Sequence, residues 1–240
     1  MSHAFGEPPT TIRQPLRVEL YFLAHNEAGE PLAHQRALSV ALAGTILADL
    51  LAPVEHISVA DGLVFVRSRE LTGDPVADWA LRLLQAHRQR RAARNSDGLP
   101  TLAALPMREA LRQLAVAAHE RTTAGLVAGD LVREVSRRRL IGTKAVTFPP
   151  TDEMVIPRVR GRLRSVLTGF TQPDWQTDAL GGMVRALDLV SELYLDEAGL
   201  DIWGLLAETV RRIGETYPAV REVIDTTEAL IAETAVSVYG

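Results

Sequence analysis

Apolar residues recur along most of the chain at the three- and four-residue spacing of a buried helix face, which predicts a mainly helical fold. Helices are predicted over residues 37–50 and 75–91, and from residue 106 to about 127. Four more helices are predicted to begin at helix-breaking residues, namely Pro157, Pro173, Gly199 and Pro218. Residues 16–23 fit both a helix and a strand, because their apolar positions satisfy both periods. The pattern leaves that segment open.

Two segments change to the alternating rhythm of strands. In residues 56–69, alternating apolar residues flank Asp61-Gly62, a pair that favours the positive φ angles of a two-residue hairpin turn. Residues 132–148 are predicted to form a second hairpin around Gly142. The predicted fold is therefore mainly α, a single globular helical-bundle domain with one or two β-hairpins.

A helix start is marked by Thr72-Gly73-Asp74-Pro75. Asp74 is suited to cap the free N–H groups, and Pro75 to occupy the first helical position. A phosphate-binding turn is the alternative interpretation, and the cap is favoured over it. The residues predicted to face inward on this helix are Val76, Trp79, Ala80, Leu83 and Leu84. If Trp79 is fully buried, its replacement by alanine should cost about 3–5 kcal/mol.

Length and composition predict one domain over residues 16–240, preceded by a flexible leader over residues 1–15, which holds three prolines. The absence of cysteine excludes disulfides, thiolate zinc sites and cysteine nucleophiles. No signal peptide or membrane-spanning stretch is recognisable, which predicts a cytoplasmic protein.

Motifs that carry chemistry are absent. The sequence has no GxSxG elbow, P-loop, HExxH pair or GxGxxG turn, and its six histidines are scattered singly. Asp196, Glu197 and Asp201 fit surface carboxylates around Gly199 better than a cation site. We therefore expect no enzyme activity, no cofactor and no metal.

The distribution of charge is more informative than its total. A net charge of −4 argues against nucleic-acid binding. Residues 133–164 nevertheless hold nine basic and three acidic residues, and the apolar pair Leu140-Ile141 follows the arginines at 137–139. Charge beside an apolar tip suits an anionic membrane surface. A solvated strand face with carboxylates supplied by its neighbours explains the same run equally well.

Several segments together resemble the Golgi phosphoprotein 3 family in its compact bacterial form. The strongest match is TGDPVADWAL at residues 72–81, and LAGTILADL at 42–50, ERT at 120–122 and RRRLIG at 137–142 follow the family's order and spacing. The resemblance covers residues 16–235. It implies a mostly helical domain with a β-hairpin whose apolar tip enters the membrane, placed here on residues 132–148.

Eukaryotic members of this family bind phosphatidylinositol 4-phosphate in a basic pocket and act as adaptors for Golgi enzymes and a myosin. The pocket's tryptophan and arginines align with His34, Ala43, Val116 and His119, so most specific head-group contacts are missing. With the nearby arginines that can substitute, the head-group set implied by the resemblance is His34, Arg36, Arg112, His119 and Arg121.

The resulting hypothesis is a peripheral membrane adaptor that binds anionic phospholipid, with phosphatidylinositol 4-phosphate as a candidate, and a protein partner of unknown identity. Its basic membrane face consists of Arg133, Arg137, Arg138, Arg139 and Lys144, and its membrane-inserting tip of Leu140 and Ile141. The alternative is a cytosolic protein-interaction domain that binds no lipid.

Overall fold

The computed structural model describes residues 13–52, 55–68, 70–94, 104–138, 144–195 and 199–239. In these residues the helices are α1 (Leu16–Leu23), α2 (Gln35–Leu51), α3 (Pro75–Arg94), α4 (Met107–Ala115), α5 (Ala118–Ala128), α6 (Val155–Leu167), α7 (Trp175–Ala186), α8 (Ile202–Thr216) and α9 (Pro218–Tyr239). The strands are β1 (Ile57–Ala60), β2 (Leu63–Val66), β3 (Leu105–Pro106), β4 (Val135–Arg138) and β5 (Lys144–Thr147). The predicted mainly α fold with two hairpins is confirmed.

Helix α2 lies at the centre of the core. Its side chains from Val40 to Ala48 are all buried, because α1, α4, α5 and α9 pack around it. A helix that is apolar on all sides is typical of such a central position. Helices α7 and α8 pack against each other and against α9, and they extend the bundle on one side.

The segment that the sequence left open is helix α1. All eight of its residues are buried, including the charged Arg17 and Glu19. Because every side of α1 is covered, neither the helical nor the strand period dominates its sequence. Just before α1, Arg13 donates hydrogen bonds to Asp174 and Thr177, so residue 13 of the predicted leader is held against α7.

The first predicted hairpin is confirmed in position and turn. Strands β1 and β2 pair antiparallel from Ile57–Val66 to Ala60–Leu63, and β3 adds to the other side of β2. Asp61 and Gly62 have φ angles of 53° and 72°, as the two-residue turn requires. The Gly62 N–H donates to Glu222 of α9, which fastens the turn to the bundle.

Two details differ from the sequence predictions. The helix predicted to continue to residue 127 is broken into α4 and α5, because the backbone leaves the helical conformation at Ala117. Trp79 and Leu83 are only partly buried, whereas Leu81 is buried. The prediction of a buried Trp79 is therefore wrong. Helix α3 packs against its neighbours through a face shifted from the predicted one.

Candidate functional site

The predicted membrane hairpin, β4–β5, is firmly attached at its base. The strands pair from Val135–Thr147 to Arg138–Lys144, and the pairing continues below them through the Arg133 N–H to the Pro149 carbonyl at 3.0 Å. Val132 is buried at this base. The hairpin therefore projects from a fixed stem.

A turn over residues 26–31 supports the stem from the side. The Asn26 side-chain oxygen accepts the N–H groups of Ala28 at 3.0 Å and Glu30 at 2.9 Å, which holds the turn in shape. Gly29 has a φ of 73° and lies so close to the backbone of Phe148 and Pro149 that a Cβ there would overlap it. Turn and hairpin stem therefore pack backbone against backbone.

The predicted basic face is only partly within the described residues. Arg133 is exposed, and it forms no ion pair with any residue that the structure describes. Arg137, Arg138 and Lys144 occupy paired positions of the two strands, with Arg138 opposite Lys144. Arg139 and the predicted tip, Leu140 and Ile141, lie outside the described residues.

The arginines of α6, in the same basic run of the sequence, have other partners. Arg158 pairs with Asp152, and Arg162 reaches the buried Glu19 at 2.5 Å. Burial raises the pKa of the Glu19 carboxyl, and Arg162 and Arg13 oppose that shift. Neighbouring carboxylates therefore compensate part of the run on α6, as the alternative interpretation of the sequence requires.

The five predicted head-group residues have separate surroundings. His34 and Arg36 are exposed at the start of α2, where the His34 ring accepts the Arg36 N–H at 3.3 Å. Arg112 on α4 pairs with Glu233 of α9 at 3.2 Å. The Arg121 guanidinium lies 5.7 Å from the ring centre of Trp79. These contacts tie Arg112 and Arg121 to different helices.

His119, the fifth residue, belongs to a cluster that the sequence did not predict. Its Nε2 lies 3.5 Å from Nε2 of His25, whose ring stacks on Tyr21 with centres 4.0 Å apart. His25 Nδ1 donates to the Tyr21 carbonyl at 2.7 Å, since a carbonyl can only accept. In the neutral ring, Nε2 is therefore the unprotonated nitrogen. Burial lowers the pKa of both histidines, to about 4 for His25.

The sequence model of the Golgi phosphoprotein 3 (GPP34) family matches residues 16–227. The chain belongs to the Golgi phosphoprotein 3 family. A search of curated proteins found no match. This family is not a known enzyme family.

The family's TGD signature has a structural role in this member. Asp74 caps α3 by accepting the N–H groups of Val76 at 2.8 Å and Ala77 at 3.1 Å, and it also pairs with the buried Arg17. Thr72 joins the same turn by donating to Asp78 at 2.8 Å. The predicted helix cap is thus confirmed, and the Asp74 carboxylate already has its cationic partner.

Two kinds of feature are absent from the residues that the structure describes. No helix there is long and apolar enough to cross a membrane. No group of three or more histidine, aspartate or glutamate side chains there is arranged to hold a metal ion. Asp201 accepts the Gly204 N–H at 3.0 Å and caps α8, whereas Asp196 and Glu197 lie outside the described residues.

Proposed function

We propose that this member of the Golgi phosphoprotein 3 family is a non-enzymatic peripheral membrane adaptor that meets anionic lipid through the β4–β5 hairpin. The observation that carries the proposal is the fixed hairpin stem, supported from the side by the turn at Gly29. Because the stem is already held in place, its own residues lose little conformational entropy on binding.

The charges of the hairpin supply the attraction. Arg133, Arg137, Arg138, Arg139 and Lys144 are five basic residues in the sequence of the hairpin and its stem. Each contributes roughly 1 kcal/mol beside an anionic leaflet, and the attraction falls off within a Debye length. In this proposal the pair Leu140-Ile141 enters the head-group boundary, where burial of apolar surface adds to the charge attraction.

This arrangement is expected to select lipids by their negative charge and not by the identity of the head group. Of the proposed head-group residues, Arg112 is already paired with Glu233, and His119 contacts His25. Burial lowers the pKa of His119, so its ring is neutral at pH 7 and adds no charge for a phosphate. We therefore propose anionic phospholipid as the ligand, with phosphatidylinositol 4-phosphate bound as one anionic lipid among others.

The second candidate is a protein-interaction domain that binds no lipid. It is favoured by the α6 arginines, whose pairing with Asp152 and Glu19 leaves less free charge than the sequence count indicates. In this alternative the hairpin presents its basic residues to an acidic protein partner.

Vesicle co-sedimentation distinguishes the two candidates. The protein is mixed with vesicles of phosphatidylcholine alone, or of phosphatidylcholine with phosphatidylserine or with phosphatidylinositol 4-phosphate at equal total charge. Membrane binding predicts sedimentation with both anionic mixtures, weakening as salt rises. Absence of sedimentation with all three would reject the membrane proposal and leave the protein-interaction domain.

A charge-matched pair of variants locates the binding surface. The variant Arg137→Glu, Arg138→Glu, Arg139→Glu should lose vesicle binding. The control, Arg82→Glu, Arg90→Glu, Arg211→Glu, has the same formal charge but alters exposed arginines on α3 and α8. It should retain most of the binding. Equal losses in the two variants would mean that overall charge, rather than the hairpin, drives the association.

A further inference from the structure

Carboxylate partners are unevenly distributed among the arginines. Many of the described arginines pair with an aspartate or glutamate, among them Arg13, Arg17, Arg108, Arg112, Arg158, Arg162, Arg185, Arg211, Arg212 and Arg221. On α3, Arg82, Arg88 and Arg90 have no such partner among the described residues. Their positive charge is therefore not compensated by any carboxylate in the part of the chain that the structure describes.

Two adjoining clefts lie where α3 passes the β1–β2 hairpin. Their volumes are about 320 and 230 Å³, and both are lined by Val66, Arg67 and Arg88. The larger cleft also has Val59 and Phe65 in its wall, and the smaller has Gln85 and Gln89. Apolar walls with a few converging polar groups are the usual composition of a small-ligand site.

Two contacts position the exposed side chain of Arg67. Its Nε donates to the Ser58 hydroxyl at 2.7 Å, and its guanidinium lies 6.0 Å from the centre of the Phe65 ring. The two terminal nitrogens of Arg67 have no hydrogen-bond partner among the described residues. An arginine fixed in this way loses little rotamer freedom when it binds an anion.

Arg88 supplies the second cation. It lines both clefts from α3, and it forms no hydrogen bond or ion pair with any residue in the described part of the chain. Gln85 and Gln89 lie on the same stretch of α3 and add amide donors and acceptors at the cleft wall. Two guanidinium groups thus share one concave site that contains no carboxylate in its lining.

We propose that this cleft binds a phosphate monoester through Arg67 and Arg88. Guanidinium groups bind phosphate oxygens in a bidentate manner, and two of them match the charge of about −2 that a monoester carries near neutral pH. Val59, Val66 and Phe65 contact the organic part of the ligand. The cleft shares no residue with the hairpin or its stem, so this site is independent of the proposed membrane surface.

The phosphate monoester has two possible sources, a soluble metabolite or a lipid head group. Glycerol 3-phosphate and phosphatidic acid carry the same phosphate chemistry in the two forms, and they are the probes of choice. Binding of glycerol 3-phosphate is measured by isothermal titration calorimetry. Binding to phosphatidic acid vesicles is compared with binding to phosphatidylglycerol vesicles, whose phosphate is a diester. The hairpin variant Arg137→Glu, Arg138→Glu, Arg139→Glu is used for the vesicle measurements, so that the hairpin does not contribute.

The variant Arg67→Gln, Arg88→Gln should weaken binding by at least about tenfold, since each arginine provides charge-assisted hydrogen bonds. The control, Arg82→Gln, Arg90→Gln, removes the same formal charge from exposed positions of α3 outside the cleft lining. It should change affinity by less than about threefold, since exposed charges act at a distance only weakly. Arg88→Gln alone keeps the test valid if the double variant is unstable.

Binding in either form that depends on Arg67 and Arg88 supports the proposal, and the form that binds identifies the source. Absence of binding to both glycerol 3-phosphate and phosphatidic acid would overturn it. Equal weakening in the cleft variant and in its matched control would also overturn it, because the effect would then belong to the general charge of α3.

Discussion

The contact between Asp74 and Arg17 makes a sharp prediction about what the TGD signature contributes to stability. Asp74 both caps α3 and pairs with Arg17, whose side chain is 7% exposed. Arg17 is also held by Asp49, whose Oδ2 lies 3.3 Å from its Nη1. Burial by itself would raise the pKa of Asp74, but Arg17 and the amide groups of Val76 and Ala77 together keep it below its usual value.

The expected cost of Asp74→Ala follows from these two roles. Loss of a helix cap costs about 1 kcal/mol. Loss of one partner from a buried ion pair costs about 3–5 kcal/mol, and Asp49 reduces that figure because it still contacts Arg17. We expect a total near 3 kcal/mol, which corresponds to a fall in Tm of about 6–12 °C for a domain of this size.

Guanidinium unfolding followed by far-UV circular dichroism measures this cost. Asp201→Ala is the matched control, because Asp201 caps α8 in the same way but is exposed. It should cost only about 1 kcal/mol. Asp74→Asn keeps an oxygen for the cap and loses the charge, so it should fall between the two. Equal costs for Asp74→Ala and Asp201→Ala would refute the reasoning and mean that Asp49 alone satisfies Arg17.

Three further predictions concern other contacts. Because burial lowers the pKa of His25 to about 4, the unfolded chain binds a proton more readily, and about 3 kcal/mol of stability should be lost as pH falls from 6.5 towards 4. His25→Gln should reduce the difference between the unfolding free energies measured at pH 7.5 and 4.5, and an unchanged difference would contradict this. Trp79→Ala should cost about 2 kcal/mol by chemical unfolding, because the ring is only half-buried beneath Arg121, and a loss above about 4 would indicate full burial. Gly29→Ala should displace the turn from Phe148, lowering Tm and weakening vesicle sedimentation, and unchanged values of both would disprove the support of the stem.

Local signals in the sequence were sufficient for much of the fold. The Asp61-Gly62 turn and the Asp74 cap depend on a few neighbouring residues, and both are confirmed. Helix α1 could not be assigned because it is buried on every side and shows no exposed period. The burial of Trp79 was predicted wrongly because the buried face of α3 is set by the neighbours it packs against, α2, α4 and α5, which the sequence of α3 alone does not indicate.

The site was harder to predict because its contacts are long-range. His25 and His119 are 94 positions apart, so two histidines that appear single in the sequence form a pair in the fold. Glu19 and Arg162 are also far apart in the sequence, so their ion pair could not be predicted and Arg162 was counted as a free charge. The attachment of the hairpin at Gly29 likewise depends on two distant segments. In each case the missing information is which distant residue lies opposite.

The ion pairs of the arginines determine which surfaces of this protein remain positively charged. In the basic run of residues 133–164, Arg158 and Arg162 of α6 pair with Asp152 and Glu19. Arg133, at the hairpin stem, has no carboxylate partner among the described residues. Arg67 and Arg88, by contrast, line a cleft and have no carboxylate partner among the described residues. An anion that binds through charge alone should depend on the hairpin and on salt, whereas an anion recognised by shape should depend on Arg67 and Arg88. The hairpin and cleft variants therefore test two separable properties of one fold.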